Sequence, residues 1–228
     1  MKNYQLIGAF ELEINKLNNS LEKPLTDDSL FWINQAVVKF TKERFNGAAP
    51  RGTGYEETEK RARDLINLHK EASLQHINYK VSKSYDSYEY KYPTDMMFVL
   101  NEDVVISDKN DEHMMDTCVF ECTADSFMYR VNNSLTDFHY KYHRARPLRV
   151  RTKEGFRLLT DTNYKIHSYT LGYLKVPEEV KDDDINHDYV DFEDYTWLEI
   201  IKIAAQMYIE NQSDARYKTI TNEVLTQE

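Results

Sequence analysis

The spacing of apolar residues changes period twice along this chain, and no other feature restricts the fold as sharply. Leu6, Ile7, Phe10, Ile14 and Leu17 recur as one face of an amphipathic helix, which Asn18-Asn19-Ser20 ends. A second helix is predicted from Thr26, a good N-cap with Asp27 and Asp28 in the first turn. It continues through Leu30, Ile33, Val37, Phe40 and Phe45 to Asn46-Gly47. Gly47 to Gly54 is a loop, and a third helix is predicted from about Tyr55 to Ser73, with Ala62, Leu65, Ile66 and Leu68 on one side. Near the other end, Tyr195 to Asn211 is apolar almost all round, which marks a helix central to a core.

Between these helical ends the period shortens to two. Leu74 to Val81 is a predicted strand, and Tyr88, Tyr90 and Tyr92 repeat on one face before Pro93. Met96 to Ile106 holds two short apolar runs split by Asn101-Glu102-Asp103, the pattern of a hairpin or of two strand ends. Thr117 to Glu121 is another strand candidate. Thr123-Ala124-Asp125-Ser126 then opens a helix carrying Phe127, Val131 and Leu135. Leu148-Arg149-Val150-Arg151 alternates as a strand does, and Ser168 to Val176 is a strand stopped by Pro177. The fold class expected is α+β: a helical bundle of the N-terminal helices and the C-terminal helix, with a β-rich insertion. Residues 1–73 supply the first helices, 74–176 the insertion with one internal helix, and 177–228 an acidic loop and the returning helix, all in one structural unit.

Composition narrows the function classes. A formal charge of −10 over 228 residues repels a phosphate backbone on average and argues against non-specific nucleic-acid binding by the whole surface. The first residues are too briefly apolar for a secretory segment, and the most apolar region, Trp197 to Ile209, is cut by Glu199 and Lys202. A protein made and kept in a cytoplasm is expected. Cys118 and Cys122 fit a reducing compartment and are read as ordinary buried thiols, since i and i+4 positions of one element lack the geometry of a relaxed bridge.

The remaining charge is sorted. His139 to Arg157 holds seven Lys or Arg against one acid, and Glu178 to Asp194 holds nine acids against one base. In the acidic segment, Asp182, Asp184, Asn186, Asp188 and Glu193 stand at the oxygen-ligand positions of a calcium loop, yet His187 occupies the place that needs glycine. A solvated acidic loop is therefore expected. His139 and His143 would share a helical face as two metal ligands must, but no third ligand accompanies them and Lys141 and Arg144 would repel a cation. Gly52-Thr53-Gly54 lacks the third glycine of a dinucleotide fingerprint, and no nucleophile motif occurs, so catalysis has no sequence support and neither a cofactor nor a metal is expected. Tyr79, Tyr85, Tyr88, Tyr90 and Tyr92 crowd one short stretch. Two readings stand for them: a face that meets another protein, or an aromatic cover on the chain's own core.

The ordered series of segments resembles the ring, or head-to-tail adaptor, proteins of crAss-like bacteriophages. Phe10 to Leu17 followed by Leu25 to Phe45 is similar to that family's opening helix pair. Thr123 to Ser134 resembles its D-E-F-x-R-x-x-N-N-P segment, with Ser134-Leu135 where the family has proline. Leu148-Arg149-Val150 resembles the end of its basic strand, Ser168 to Pro177 its Y-x-x-x-Y-L-x-x-P strand end, and Trp197 to Ala205 its E-I-I-x-x-A helix. The resemblance implies a non-enzymatic virion component, made in the host cytoplasm and assembled as a closed twelvefold ring in the neck or tail. Its partners would be further copies of itself, a portal and adjacent ring or tail proteins, with DNA only as passing cargo and no membrane. A closed ring needs a heterologous contact. The sorted charges supply candidates, with Arg144, Arg146, Arg149 and Arg151 meeting Asp182, Asp183, Asp184 or Asp188 of a neighbour and Tyr88, Tyr90 and Tyr92 nearby. The rivals are pairing of the two segments inside one subunit, and a monomeric protein-binding module that uses calcium at Asp182 to Glu193.

Overall fold

A computed structural model gives the structure of residues 1–17, 24–46, 55–110, 113–184 and 186–211, without the side chains of 17 and 55–58. The predicted loop at Gly47 to Gly54 lies outside the described residues. Among the described residues, five helices and nine strands make a mixed α+β fold that divides into two compact units. One comprises Met1–Leu68 with the chain from Pro177 onward, the other His69–Val176.

In the first unit, α1 (Asn3–Leu17), α2 (Thr26–Asn46) and α5 (Asp194–Asn211) form as their periodicity dictates. Leu6, Phe10 and Ile14 of α1 and Ile33, Ala36, Val37 and Phe40 of α2 are buried together with Trp197, Ile200, Ile201, Ala204, Ala205 and Ile209 of α5. Phe10 and Trp32 both meet the ring of Tyr208 edge-on, which ties α1 and α2 to α5. The predicted third helix is shorter than its pattern: α3 (Tyr55–Asp64) stops, Ile66–Leu68 makes one 3-10 turn, and His69–Ser73 leaves as strand β1. Arg44 explains why α3 stays close. Its guanidinium lies 3.2 Å from Asp64 and 2.7 Å from Glu199, and Lys60 reaches the same Glu199 at 2.9 Å. Burial holds the Asp64 carboxyl above the usual carboxylate range even with Arg44 beside it.

The second unit holds two sheets. In the first, β4 (Met96–Asp108) and β9 (Tyr164–Lys175) form a long antiparallel pair, flanked by β1 and by β5 (Met114–Cys118) in the order β1-β9-β4-β5. The second runs β2 (Asn78–Val81), β3 (Asp86–Lys91), β8 (Gly155–Thr160), β7 (Leu148–Arg151) and β6 (Phe120–Cys122), with β6 and β7 parallel and the other pairs antiparallel. Gly155 pairs with Lys91, and a Cβ there would stand 2.0 Å from the Tyr90 carbonyl oxygen. Only glycine allows β3 and β8 to approach so closely.

Several expectations are corrected here. Leu74 to Val81 is extended only from Asn78. Asn101-Glu102-Asp103 is no hairpin but the middle of β4, where register shifts at Val99/Asn101 and at two other points interrupt the alternation that a sequence pattern relies on. The Thr117 to Glu121 strand is two: the chain leaves the first sheet at Cys118 and enters the second at Phe120. That break leaves Cys118 exposed rather than buried, while Cys122 is buried. The helix opened at Thr123 is α4 (Phe127–Asn132), too short to reach Leu135, which is 86% exposed. Asn133 ends it by accepting the Leu135 N–H, and Thr136 donates to the Arg130 carbonyl. Strand β8, which no pattern anticipated, lies at the centre of its sheet.

Candidate functional site

The basic segment separates into a buried part and an exposed part. Arg149 on β7 is buried, 3% exposed. Its Nη1 lies 2.7 Å from Glu102 on β4 and its Nη2 donates to Glu121 on β6 at 2.6 Å, while Arg151 Nε lies 2.7 Å from the other Glu121 oxygen. The Tyr169 hydroxyl donates to Glu102 at 2.5 Å. Burial works to raise the Glu121 carboxyl, but Arg149 and Arg151 outweigh it and hold the group below its ordinary range. Burial likewise opposes the charge on Arg149, and Glu102 and Glu121 more than offset it. These four charges hold strands together within one subunit, so Arg149 is committed internally.

Two of the three tyrosines are also internal. Tyr88 and Tyr90 are core residues at 5% and 4% exposure, and Tyr90 stacks on Phe156 with centroids 5.3 Å apart. Burial pushes the Tyr90 hydroxyl up to about 12 and the Tyr88 hydroxyl further in the same direction. Tyr92 is half-buried against Phe156.

What remains outside is the loop ahead of β7. Lys141, Tyr142, His143, Arg144 and Arg146 are exposed, and Arg146 makes one long ion pair of 3.9 Å with Asp137. No helix presents His139 and His143 together. Lys141 and Arg144 instead bond each other's backbone at 3.0 and 2.9 Å, which closes a two-residue hairpin turn with Tyr142 at φ 51° and His143 at φ 61°. His139 sits 3.7 Å from Asp161, and His143 packs on His113 with centroids 4.3 Å apart. Beside this turn, a groove of about 460 Å³ is lined by Thr117, Leu135, His139, Lys141, Arg144 and Arg146, among others.

The acidic segment is expected as a solvated loop, and its backbone is more constrained than that. The buried Asn3 donates its side-chain amide to the Lys181 and Asp184 carbonyls, and its own N–H bonds His187. Asn34 both accepts from and donates to Val180, and Asp191 accepts the Glu178 N–H. Val180, Tyr189 and Phe192 are buried beneath it. The main chain therefore faces inward and the carboxylates of Asp182, Asp183 and Asp184 face out. Asp188 lies 2.9 Å from the Met1 amino group, which also meets Asp194 at 3.1 Å. That amino group depresses the Asp188 carboxyl. In return Asp188 and Asp194 raise the amino group even against its partial burial. With Asp188 so engaged, the calcium-loop positions do not converge, and among the described residues no group of three His, Cys, Asp or Glu is placed to hold a metal ion. A depression of about 220 Å³ lies among Glu178, Glu179, Lys181, Asp183, Asp184, His187 and Tyr189.

A family model described as phage tail ring protein 3/4 of the crAss type matches residues 8–191. The chain belongs to that ring protein family. No curated protein matches it. Both charged surfaces of this ring protein, from Arg144 to Asp188, fall inside the matched stretch, as do β1 to β9 and the α1–α2 pair apart from the first turns of α1. The likeness carried by the opening helices and the middle segments is thereby borne out. Sequence reasoning missed Glu102 and Glu121 as the partners of Arg149, and Tyr169 as the donor to Glu102. Their one signal was Glu102 inside an apolar run, which the hairpin reading absorbed. No described helix is long and apolar enough to cross a membrane.

Proposed function

We propose that this chain is a non-enzymatic virion protein that forms a closed ring of twelve copies in the neck or tail, acting as a head-to-tail connector. The ring joins the portal or a neighbouring ring and lines the path of the genome, which passes as cargo. Subunits are made in the host cytoplasm. Membership of the tail ring family carries this reading. Two exposed surfaces of opposite charge support it, because a ring requires one face of each subunit to meet a different face of the next.

The contact proposed joins Arg144 and Arg146 of one subunit to Asp182, Asp183 and Asp184 of its neighbour. Arg149, Tyr88 and Tyr90 act from inside, as the frame that holds the basic loop. Exposed pairs contribute only about 0–1 kcal/mol each, so they set register more than strength. Light scattering followed by negative-stain imaging tests the assembly. Annular particles are expected, and reversing Arg144 and Arg146 to Glu should impair their formation. Normal rings from that doubly reversed variant would exclude the charged contact.

A further inference from the structure

Tyr142 stands out because its own subunit gives it nothing to do. It is 94% exposed, the most exposed of the large apolar side chains described. Its backbone lies in the left-handed region, as does that of His143, and such a turn is satisfied with far less strain by Asn or Gly. Folding thus carries a strained backbone to hold an aromatic ring in water, a combination that observed outliers of this kind link to contact sites. The turn is also held stiffly. Lys141 Nζ bonds the Ser134 carbonyl, His143 packs on His113, and the Tyr140 N–H bonds Asp161 at 2.9 Å. A preordered aromatic on a rigid tip loses little freedom on binding.

We propose that Tyr142 is the anchor of the contact between copies, its ring seated in the acidic depression beside Tyr189 of a second copy. This rests on the ring reading above and names the residue at its centre. The tip is flanked by Lys141, Arg144 and Arg146, and the depression by Glu178 and Glu179, which meet His187 and Lys181 of their own subunit, and by Asp183 and Asp184, so knob and hole are complementary in charge chiefly through these two aspartates. Arg144 makes no ion pair among the described residues, nor do Asp182 and Asp183, so these groups stay available. The hole is a small depression bordered by Tyr189, a buried residue whose hydroxyl accepts the Lys181 N–H. Tyr142 would enter the mouth of that depression, and the surrounding carboxylates would face the lysine and arginines.

The test uses the full chain with Cys118→Ser, which removes the exposed thiol. Self-association is followed by sedimentation for the parent, Tyr142→Gly, Tyr142→Phe and Arg144→Glu. Tyr142→Gly should weaken association at least tenfold while its thermal midpoint stays level or rises, because the strain is relieved. Tyr142→Phe should stay within about twofold of the parent. A mixture of one chain carrying Tyr142→Cys and another carrying Asp183→Cys should give a disulfide-linked dimer of the two different chains. If Tyr142→Gly associates like the parent while Arg144→Glu does not, the anchor is wrong and the charged contact stands. If neither variant weakens association, or the parent is monomeric up to about 1 mM, both fall. Failure of the mixed chains to cross-link in associated material overturns the seat assigned to Tyr142.

Discussion

Replacing Arg149 by Met should destabilise the subunit by about 3–5 kcal/mol, the usual loss when one partner of a buried ion pair is removed. The size follows from who is left behind. Glu102 is 11% exposed in its side chain and would keep its carboxylate in the strand pair with only the Tyr169 hydroxyl as a donor. Glu121 is half exposed and retains Arg151, so it adds little. Methionine fills much of the volume of the aliphatic stem, which leaves the orphaned charge as the main cost. The assay is urea denaturation followed by far-UV circular dichroism, read as a shift in midpoint at constant slope. Arg149→Met with Glu102→Gln should recover much of the loss, because the neutral amide still accepts from Tyr169 and no longer needs a cation. Arg151→Met should cost only about 0–1 kcal/mol. A loss under about 1 kcal/mol for Arg149→Met, or none recovered in the double variant, would refute the internal role of Arg149 and return it to the surface contact.

Three further outcomes follow from the same packing. The Glu121 carboxyl titrates below its unfolded value, so the folded state binds fewer protons and its contribution is present above the ordinary carboxylate pKa of about 4. It is lost as pH falls through the lower folded value. Glu121→Gln should therefore flatten the acid limb of the stability curve, and an unchanged limb would contradict the pairing. Gly155→Ala should destabilise by about 1–3 kcal/mol in the same denaturation assay, since the new methyl meets a backbone carbonyl that cannot rotate away; a neutral result would mean β3 and β8 are less tightly apposed. Of the two thiols, Cys118 should react with a thiol reagent at once. Cys122, buried and with its pKa raised by that burial, should react only on unfolding, and equal rates would dispute the break between β5 and β6.

Local pattern was legible where one residue set faces one core. Leu6, Phe10 and Ile14, or Ile33, Val37 and Phe40, announce their helices because each apolar stripe repeats every turn and is buried as a stripe. The apolar circumference of α5 announced its central place for the same reason. The pattern failed where a partner strand overrode it. His69–Ser73 is polar and reads as the end of a helix, yet it extends because β9 supplies its hydrogen bonds. Glu102 looks like a turn residue and is a strand residue because β4 pairs there with Leu171 of β9, and Arg149 offsets its charge.

The charged surfaces divide along the same line. Their existence is written in composition, since seven cations and nine acids in two short segments leave no other reading. Which of those charges can meet a neighbour was decided by tertiary structure. The sheets bury Arg149 against two carboxylates, Glu102 on β4 and Glu121 on the neighbouring β6, while a closed two-residue turn lifts Tyr142 and Arg144 outward. Sequence thus determined the helices at both ends, the sheet-forming middle and the sorting of charge, all of which depend on neighbours along the chain. Pairing across the sheets determined the site, because burial and backbone conformation at a residue depend on segments that sequence spacing does not bring together.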